Sequence, residues 1–442
     1  MTTTWSARDG LRYGLLGLPL AFVALPLYVV LPNHYATQFG VPLASLGALL
    51  LGARLFDAVI DPALGRWCDS LFERGAARVL RVCAVAAVAL ALGFVALFFP
   101  SVRGAGLLVW AFVALIVTYT AYSLISVAHQ SWGARLGGDA LVRSRIVAWR
   151  EGLGLAGVLL ASVLPVVAGL PVSTAVFMAA LVVGLWAWTR APQPGAVQPH
   201  AAAPSTPHNG RTNSPTNSPT NSLINGYTKP SLWHTLQRPG FMALLAVFIL
   251  NGIASAIPAT LVLFFIQDLL QAPKQMEGAF LAAYFLTAAL SITLWLRCIA
   301  RWGLWRTWLL GMALAVAVFV WAATLGQGDI AAFMVVCALS GVALGADLAV
   351  PPALLAGLIQ TNGDHGQTEG AYFGWWNFAT KLNLALAAGL ALPALALFGY
   401  TPGARAPQAL QALVVAYCVL PCILKLMAAA ALWFSAQRKQ FV

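Results

Sequence analysis

Twelve long apolar stretches constrain this chain more than any other feature of its sequence. Each is near 20 residues or longer, the length that a helix needs to cross the hydrocarbon core of a bilayer. The 442 residues are 60% hydrophobic and 9% charged, whereas soluble domains carry roughly 25% charged residues. We therefore predict an all-α membrane protein with twelve transmembrane helices. The stretches cover residues 11–38, 42–68, 78–100, 105–134, 145–168, 170–190, 241–268, 276–298, 304–326, 330–358, 370–398 and 407–435.

One polar segment divides these stretches into two sets of six. Within it, residues 212–222 form a Thr-Asn-Ser-Pro repeat with a proline in every unit. Such a sequence buries little apolar surface and is expected to be a flexible tether. The predicted organisation is an N-terminal six-helix half over 1–190, a cytoplasmic flexible linker over 191–233 and a C-terminal six-helix half over 234–442.

The distribution of positive charge predicts the orientation. Of the 25 Lys and Arg residues, 17 fall in the connections on one side of the predicted membrane, and only Arg103, Lys274 and Arg405 fall on the other. Because Lys and Arg concentrate on the cytoplasmic side, we expect both termini in the cytoplasm and a multi-pass protein in the plasma (inner) membrane. The net charge of +12 then results from the Lys and Arg residues at the cytoplasmic edge of the membrane, and it does not predict nucleic-acid binding. The first residues lack the basic start and cleavage site of a signal peptide, so we expect an uncleaved anchor.

Two carboxylates lie inside the second apolar stretch. Asp57 and Asp61 share one helical face with Arg54 and Gly65. A carboxylate in hydrocarbon costs several kcal/mol or more, and two of them one turn apart repel unless a proton or metal ion lies between them. This pattern predicts a site for Na⁺ or H⁺. The alternative is a structural cluster in which Asp57 and Asp61 neutralise Arg54 and a neighbouring basic residue.

The sequence around this pair resembles a known family. Residues 54–65, Arg-Leu-Phe-Asp-Ala-Val-Ile-Asp-Pro-Ala-Leu-Gly, are similar to the second-helix motif of the glycoside–pentoside–hexuronide:cation symporters, the melibiose-carrier family. Residues 146–152 and 369–381 resemble the segments that open helices five and eleven of that family. The resemblance implies the major facilitator superfamily fold, which has two pseudo-symmetric halves of six helices each.

The same resemblance assigns roles to individual residues. It implies that Asp57, Asp61 and Ser123 bind the coupling cation, with Na⁺ as the metal if Na⁺ is used, and that Lys381 links this site to the substrate. Further substrate or coupling positions are Arg150, Ser126, Gln130, Ala21, Trp376 and Tyr122. At Ala21, Ser126 and Gln130 the melibiose carriers have an aspartate, an aspartate and a tryptophan. The cation carboxylates are thus retained, and the galactoside-binding residues are replaced.

Other residues have an open choice of roles. Asp347 is an intramembrane carboxylate that pairs with an interior cation or lines a cavity, and Glu151 could simply neutralise Arg150. His129 could titrate near neutral pH, although a lone histidine on a helix more often packs through a hydrogen bond. Aromatic residues such as Tyr122 and Trp376 could stack on a sugar or anchor the helices. Gating roles are expected for Asp69, Arg54, Asp139, Arg145 and Glu369.

The expected function is transport. Enzyme motifs such as HExxH, GxSxG and GxxxxGK[ST] do not occur in the sequence, so we expect no enzyme and no cofactor besides the coupling ion. We predict a monomeric symporter for a sugar, glycoside, uronide or related small hydrophilic solute, with membrane lipid as its surroundings. Arg150 and Lys381 suggest that this solute is negatively charged. The alternatives are a lipid or lysolipid transporter on the same fold and a non-transporting membrane scaffold or sensor.

Overall fold

The computed structural model describes residues 5–195, 233–397, 399–401 and 403–438. The predicted linker lies almost entirely outside these residues. Within the described ranges the regular structure is helical. The helices are α1 (Ala7–Gly14), α2 (Gly17–Leu25), α3 (Leu31–Gln38), α4 (Leu43–Glu73), α5 (Ala76–Phe98), α6 (Leu107–Arg135), α7 (Ala140–Val167), α8 (Gly169–Thr189), α9 (Phe241–Phe264), α10 (Lys274–Trp302), α11 (Leu304–Ala322), α12 (Ile330–Thr361), α13 (Glu369–Leu397), α14 (Pro407–Val414) and α15 (Leu420–Gln437).

These helices form twelve rods within the described residues, as the apolar stretches predict. One rod consists of α1, α2 and α3, and a π-helical turn at Pro26–Val30 joins α2 to α3. Another consists of α14 and α15, joined by a π-helical turn at Val415–Val419. Nine described segments are long and apolar enough to cross a membrane. The other three rods begin at Ala7, Leu43 and Glu369. The last two of these rods carry the buried charges described below.

Each set of helices surrounds an aromatic core. In α1–α8, Phe177 stacks on Phe22 and packs against Phe94, with ring centroids 5.8 and 4.8 Å apart. In α9–α15, Phe265 stacks on Tyr417 at a centroid distance of 4.2 Å. Close-packed aromatic rings of this kind favour a single helix arrangement. The two cores hold the helices that carry the candidate site in fixed positions.

Glycines bring α4 and α13 into direct backbone contact. A Cβ atom on Gly65 would overlap the carbonyl oxygen of Gly370, and one on Gly374 would overlap that of Asp61. Only glycine allows two helices to approach this closely. This contact fixes the register in which Lys381, two turns beyond Gly374, lies opposite the carboxylates of α4. We call the end of the bundle where α4 ends and α13 begins the closed end.

Farther from the closed end the same two faces are uncovered. Leu384 lies one turn beyond Lys381 on α13 and is 51% exposed, and Leu51 lies one turn beyond Arg54 on α4 and is 58% exposed. By contrast, Gly65 and Gly374 are buried. Both helices are therefore more exposed toward the end opposite the closed end.

Candidate functional site

Asp57 and Asp61 meet Lys381 inside the bundle. The Nζ atom of Lys381 lies 2.6 Å from Oδ1 of Asp57 and 2.8 Å from Oδ2 of Asp61. The exposed fraction of both acidic side chains is at most 3%, and that of the lysine side chain is 15%. One lysine thus pairs with two buried acids. The three groups together retain one negative charge.

Ser123 of α6 completes this cluster. Its hydroxyl donates to Oδ1 of Asp57 at 2.8 Å, and Lys381 donates to the same hydroxyl oxygen at 2.8 Å. Lys381 also donates to the backbone carbonyl of Asp57 at 3.1 Å. The ammonium group is therefore surrounded by four oxygen atoms from two helices. We call these atoms, Oδ1 and the carbonyl oxygen of Asp57, Oδ2 of Asp61 and Oγ of Ser123, the oxygen cage.

Asp61 has one oxygen that this arrangement does not satisfy. Its Oδ1 atom is buried and has no hydrogen-bond donor among the described residues. Its Oδ2 atom meets Lys381 as an ion pair, without a directed hydrogen bond. A buried carboxylate oxygen without a donor is costly, and a proton or a cation would relieve that cost. Because carboxylate, hydroxyl and carbonyl oxygens are hard ligands, the cage suits an alkali cation or a proton.

Arg54 lies on the face of α4 that carries both acids, but its side chain is exposed. The positive charge of Arg54 acts on Asp57 electrostatically, and Lys381 takes the place of the neighbouring basic residue in the sequence-based alternative. Lys381, which is more than 300 residues away along the chain, forms an ion pair with each of the two acids.

Arg150 and Glu151 pair with each other on α7. Their side chains form a direct ion pair and are 18% and 21% exposed. Arg150 also lines a cavity of about 20 Å³ together with Gln130. The guanidinium charge is therefore balanced by its neighbour in sequence, and Lys381 is balanced by two acids. The two cations expected to attract an acidic solute are both engaged within the protein.

A polar bridge joins α6 to α13 near this pair. Gln130 donates through its Nε2 atom to Oγ of Ser126 at 3.0 Å and to Oδ1 of Asn377 at 3.1 Å. Trp376 is buried and stacks on Phe248, with ring centroids 3.7 Å apart. Ser126 and Gln130 thus connect the two sets of helices, whereas the indole of Trp376 is covered by protein.

Three of the remaining candidates, Ala21, Tyr122 and His129, are wholly or partly buried within the N-terminal helices. Ala21 is half-buried, and a Cβ atom on Gly154 of α7 would be in van der Waals contact with it. Tyr122 is half-buried. The Nε2 atom of His129 lies 2.9 Å from the carbonyl oxygen of Tyr13, and its ring packs against the Tyr13 ring at 4.4 Å. For His129 the contacts match the hydrogen-bonded packing role.

A second cluster of charges lies at the closed end. Arg135 of α6 contacts Asp69 of α4 at 2.8 Å and Glu369 of α13 at 3.0 Å, and all three side chains are buried. Asp69 also accepts hydrogen bonds from the backbone N–H groups of Gly370 and Ala371 at 2.7 and 2.8 Å. Asp69 and Glu369, both predicted as gating residues, are therefore joined through an arginine. We call Asp69, Arg135 and Glu369 the closed-end cluster.

Asp139 and Arg145 occupy different positions from the closed-end cluster. Asp139 is exposed and caps α7 by accepting from the N–H of Val142 at 2.8 Å, and Arg145 is exposed. The contact between the two sets of helices at this point comes from Arg143, whose Nη1 donates to Oε1 of Gln360 at 2.6 Å. Asp139 thus serves as a helix cap, and the hydrogen bond across this point is donated by the charged guanidinium of Arg143 to a neutral amide. Aspartate is strongly preferred at helix N-caps because its side-chain oxygen can accept a hydrogen bond from a free backbone N–H of the first turn, which explains this role of Asp139.

Asp347 forms a separate buried pair in the C-terminal helices. Nζ of Lys425 lies 2.9 Å from Oδ2 of Asp347 and donates to Oδ1 of Asn251 at 2.7 Å. Trp308 donates through Nε1 to Oδ1 of Asp347 at 2.9 Å. The pair lines a cavity of about 350 Å³ whose walls are mostly aliphatic and aromatic, including Tyr284. Asp347 therefore has both an interior cation as its partner and a place in a cavity wall.

Sequence reasoning missed Arg135 and Lys425. Arg135 ends an apolar helix and resembles an ordinary loop charge, since nothing local identifies partners on α4 and α13. Lys425 is different, because a lysine in the middle of an apolar stretch is itself the signal of a buried pair. The rule that selected Lys381 would also have selected Lys425. In the part of the chain that the structure describes, no cluster of three His, Cys, Asp or Glu side chains forms a metal site.

Comparison with known proteins gives one family and several similar structures. Residues 12–436 match the model of the MFS/sugar transport protein family, MFS being the major facilitator superfamily. An uncharacterized symporter of Bacillus subtilis (strain 168), YjmB, is 25% identical over 150 residues, which is 33% of this chain and 32% of that relative. The chain thus matches about a third of the length of this curated relative.

The solved structures share the fold. A bacterial homologue of the iron transporter ferroportin in an outward-facing state superposes with a TM-score of 0.70 at 15% identity, covering 97% of this chain and 99% of that one. The transporter FucP in its outward conformation superposes with a TM-score of 0.62 at 14% identity, covering 96% and 98%. The predicted major facilitator superfamily fold is confirmed.

Proposed function

Because the chain belongs to the MFS/sugar transport protein family, it is a membrane transporter, and we propose that it couples Na⁺ or H⁺ to the symport of a small hydrophilic solute. The matched family and the weak relative named a symporter support transport in general. The coupling ion and the class of solute are the proposed part. The oxygen cage is the observation that carries this proposal.

The cage supports coupling because Lys381 occupies the position that a cation would take. The Nζ atom lies 2.6–3.1 Å from four oxygens of the kind that Na⁺ prefers. A cation or proton entering the cage competes with the ammonium group for the same atoms. The excess negative charge of the cluster favours that entry. Once displaced, the ammonium group of Lys381 can form new contacts, and the neighbouring residues of α13 can change position with it.

The solute is proposed to bind between the two sets of helices beside the cage. The bridge from Ser126 and Gln130 to Asn377 supports this position, since its hydrogen bonds join α6 to α13. Hydroxyl groups of a sugar could replace these neutral hydrogen bonds directly. The pairing of Arg150 with Glu151 favours a neutral glycoside over an acidic one, which revises the sequence-based suggestion of a negatively charged solute.

Alternating access is proposed to use the closed-end cluster. In the orientation that the positive-charge pattern predicts, the closed end faces the cytoplasm and the more exposed ends of α4 and α13 face outward. Breaking the contacts of Arg135 with Asp69 and Glu369 would open the cytoplasmic side. Transporters of this kind bind solute and ion near mid-membrane and move their halves around that site.

Uptake into proteoliposomes tests the proposal. Radiolabelled neutral glycosides and uronides are supplied under an imposed Na⁺ or proton gradient, and accumulation is compared with and without the gradient. Asp61→Asn should abolish gradient-driven accumulation, because it removes the excess negative charge without adding bulk. Asp329→Asn is the matched control, since Asp329 is an exposed aspartate beyond the end of α11. Accumulation that is equal in wild type and Asp61→Asn would rule out coupling through this cage.

A second candidate is movement of a lipid or lysolipid, and the apolar cavity beside Asp347 favours it. Its wall of side chains such as Phe280, Phe285 and Phe319 suits an acyl chain better than a sugar. Competition separates the two candidates. Lysophosphatidylcholine below its micellar concentration should displace a bound glycoside only if the transported solute is amphipathic.

A further inference from the structure

A groove on the outer side of the N-terminal helices carries charges that neither the proposed symport nor the closed-end cluster uses. It has a volume of about 650 Å³ and runs between α4, α5 and α6. Ten of its twelve lining side chains are uncharged, among them Trp67, Val85, Ala89 and Val117. The two charged ones, Arg78 and Arg81, lie near the start of α5. We call this feature the α5 groove.

The walls of the α5 groove belong to the membrane-facing surface. Val85 is 72% exposed, Val117 is 41% exposed and Trp67 is 45% exposed. In a protein whose helices cross a bilayer, such surfaces contact lipid chains. From Arg78 to Ala89 the α5 groove extends over eleven residues, which is about 17 Å at 1.5 Å per residue. This length is roughly half the thickness of the hydrocarbon core, or one leaflet.

The two arginines face outward at one end of the α5 groove. Arg78 and Arg81 are exposed, and the lining of the α5 groove contains no carboxylate. They are three residues apart and therefore lie on one face of the helix. Arg74, also exposed, lies at the C-cap of α4, and the acid nearest in sequence is Glu73. Three positive charges against one negative charge give this corner a net positive charge.

The start of α5 adds to the positive character of this corner. The helix begins at Ala76 after Gly75, and no side chain caps its first backbone N–H groups. Free N–H groups at a helix start attract anions, and here they lie within one to two turns of the arginines. The apolar channel and the positive corner therefore lie in line along one helix.

We propose that the α5 groove binds one anionic glycerophospholipid, with its phosphate at Arg78 and Arg81 and an acyl chain along α5 toward Ala89. The positive corner selects a headgroup with net negative charge, and the channel selects a long chain. Basic residues at the end of a transmembrane helix attract anionic lipid with about 1 kcal/mol each. This site is separate from the oxygen cage, so the proposal does not depend on the identity of the transported solute.

Native mass spectrometry of the purified full-length protein tests this site. The protein is incubated in detergent with phosphatidylglycerol or with phosphatidylcholine of the same chains, and the retained adducts are counted. We expect one phosphatidylglycerol per chain to be retained preferentially. Arg78→Gln with Arg81→Gln should weaken its binding by about 30-fold, since two contacts of this strength are lost. Glycerol phosphate, which has the charge without the chains, should not compete.

Two further variants separate the α5 groove from general surface charge. Arg297→Gln with Arg301→Gln removes two exposed arginines near the end of α10 and should leave the adduct unchanged. Ala89→Phe narrows the channel but keeps both charges, and it should lower retention of phosphatidylglycerol. Equal retention of the two lipids by the wild type would overturn the proposal. So would a loss of phosphatidylglycerol binding in the α10 control as large as that in the Arg78/Arg81 double variant. Unchanged retention in Ala89→Phe would also overturn it, because the chain would then lie elsewhere.

Discussion

Lys381 is the counter-charge for two buried acids, so its removal is more costly than the removal of either acid. Neutralising Asp57 or Asp61 singly leaves a balanced pair with the lysine, and such variants should fold. Lys381→Met leaves two acids without a cation, and breaking a buried ion pair costs about 3–5 kcal/mol. We expect a clearly lower thermal unfolding midpoint for Lys381→Met.

Combining Lys381→Met with Asp57→Asn should recover part of that loss, because only one acid then remains buried. The midpoints are measured in one detergent by intrinsic fluorescence. A midpoint for Lys381→Met equal to that of the wild type would mean that the acids are already neutral in the folded protein.

Lys425 and Asp347 allow the same test in the C-terminal helices. Lys425→Met leaves Asp347 in an apolar cavity wall, while Asn251 loses its donor. We expect a loss of stability of about 3–5 kcal/mol, as for other broken buried pairs. Adding Asp347→Asn should restore most of it, since the amide oxygen can still accept from Trp308. If the double variant is no more stable than Lys425→Met alone, the two residues do not act as a pair.

At the scale of the helix, α4 depends on glycine where it touches α13. Gly65→Ala places a methyl group against the backbone of Gly370, so the helices must separate or shift. Overpacking of this kind costs about 1–3 kcal/mol. The thermal midpoint should fall, and gradient-driven accumulation should fall with it because Lys381 moves relative to the acids.

Gly47→Ala provides the control on the same helix. Nothing lies within 4 Å of a Cβ atom on Gly47, and alanine favours a helix over glycine by about 1 kcal/mol. We expect this variant to be as stable as the wild type or slightly more stable. A drop in stability as large as that of Gly65→Ala would show that the glycine contact is not the cause.

The elements themselves were largely predictable from the sequence, and the differences have local reasons. The second apolar stretch was predicted to end at residue 68, whereas α4 continues to Glu73. The charge of Asp69 suggests a loop at this point of the sequence. In the structure its carboxylate pairs with Arg135 and accepts hydrogen bonds from two backbone N–H groups, so it can be buried in the last turns of the helix. The pair Asp57 and Asp61 was visible because helical spacing brings both acids to one face. The partners of Asp69 come from α6 and α13, and local spacing carries no information about them.

At the scale of the whole molecule, the closed-end cluster should control which end of the bundle is open. Arg135 is the only member of the cluster with positive charge, so Arg135→Gln leaves Asp69 and Glu369 facing each other. Repulsion between two buried acids should weaken the closed end by several kcal/mol, enough to invert a two-state equilibrium.

Spin labels on cysteines introduced at Arg145 and Thr361 would report this change. Both residues are exposed, on α7 and α12 respectively. Double electron–electron resonance should show a shift toward longer distances in Arg135→Gln relative to the wild type. Arg301→Gln, at the end of α10, is the control and should leave the distribution unchanged. Identical distributions in all three proteins would mean that other contacts keep this end closed.

In the proposed mechanism a cation and Lys381 compete for one oxygen cage. Cation uptake by the purified protein tests this competition: the number of Na⁺ ions bound per chain is measured by calorimetry, and the number of protons with a pH indicator. We expect uptake of one cation by the wild type, tighter uptake by Lys381→Met, in which the competitor is absent, and no uptake by Asp61→Asn. Uptake by Asp61→Asn with the affinity of the wild type, or weaker uptake by a folded Lys381→Met, would contradict it.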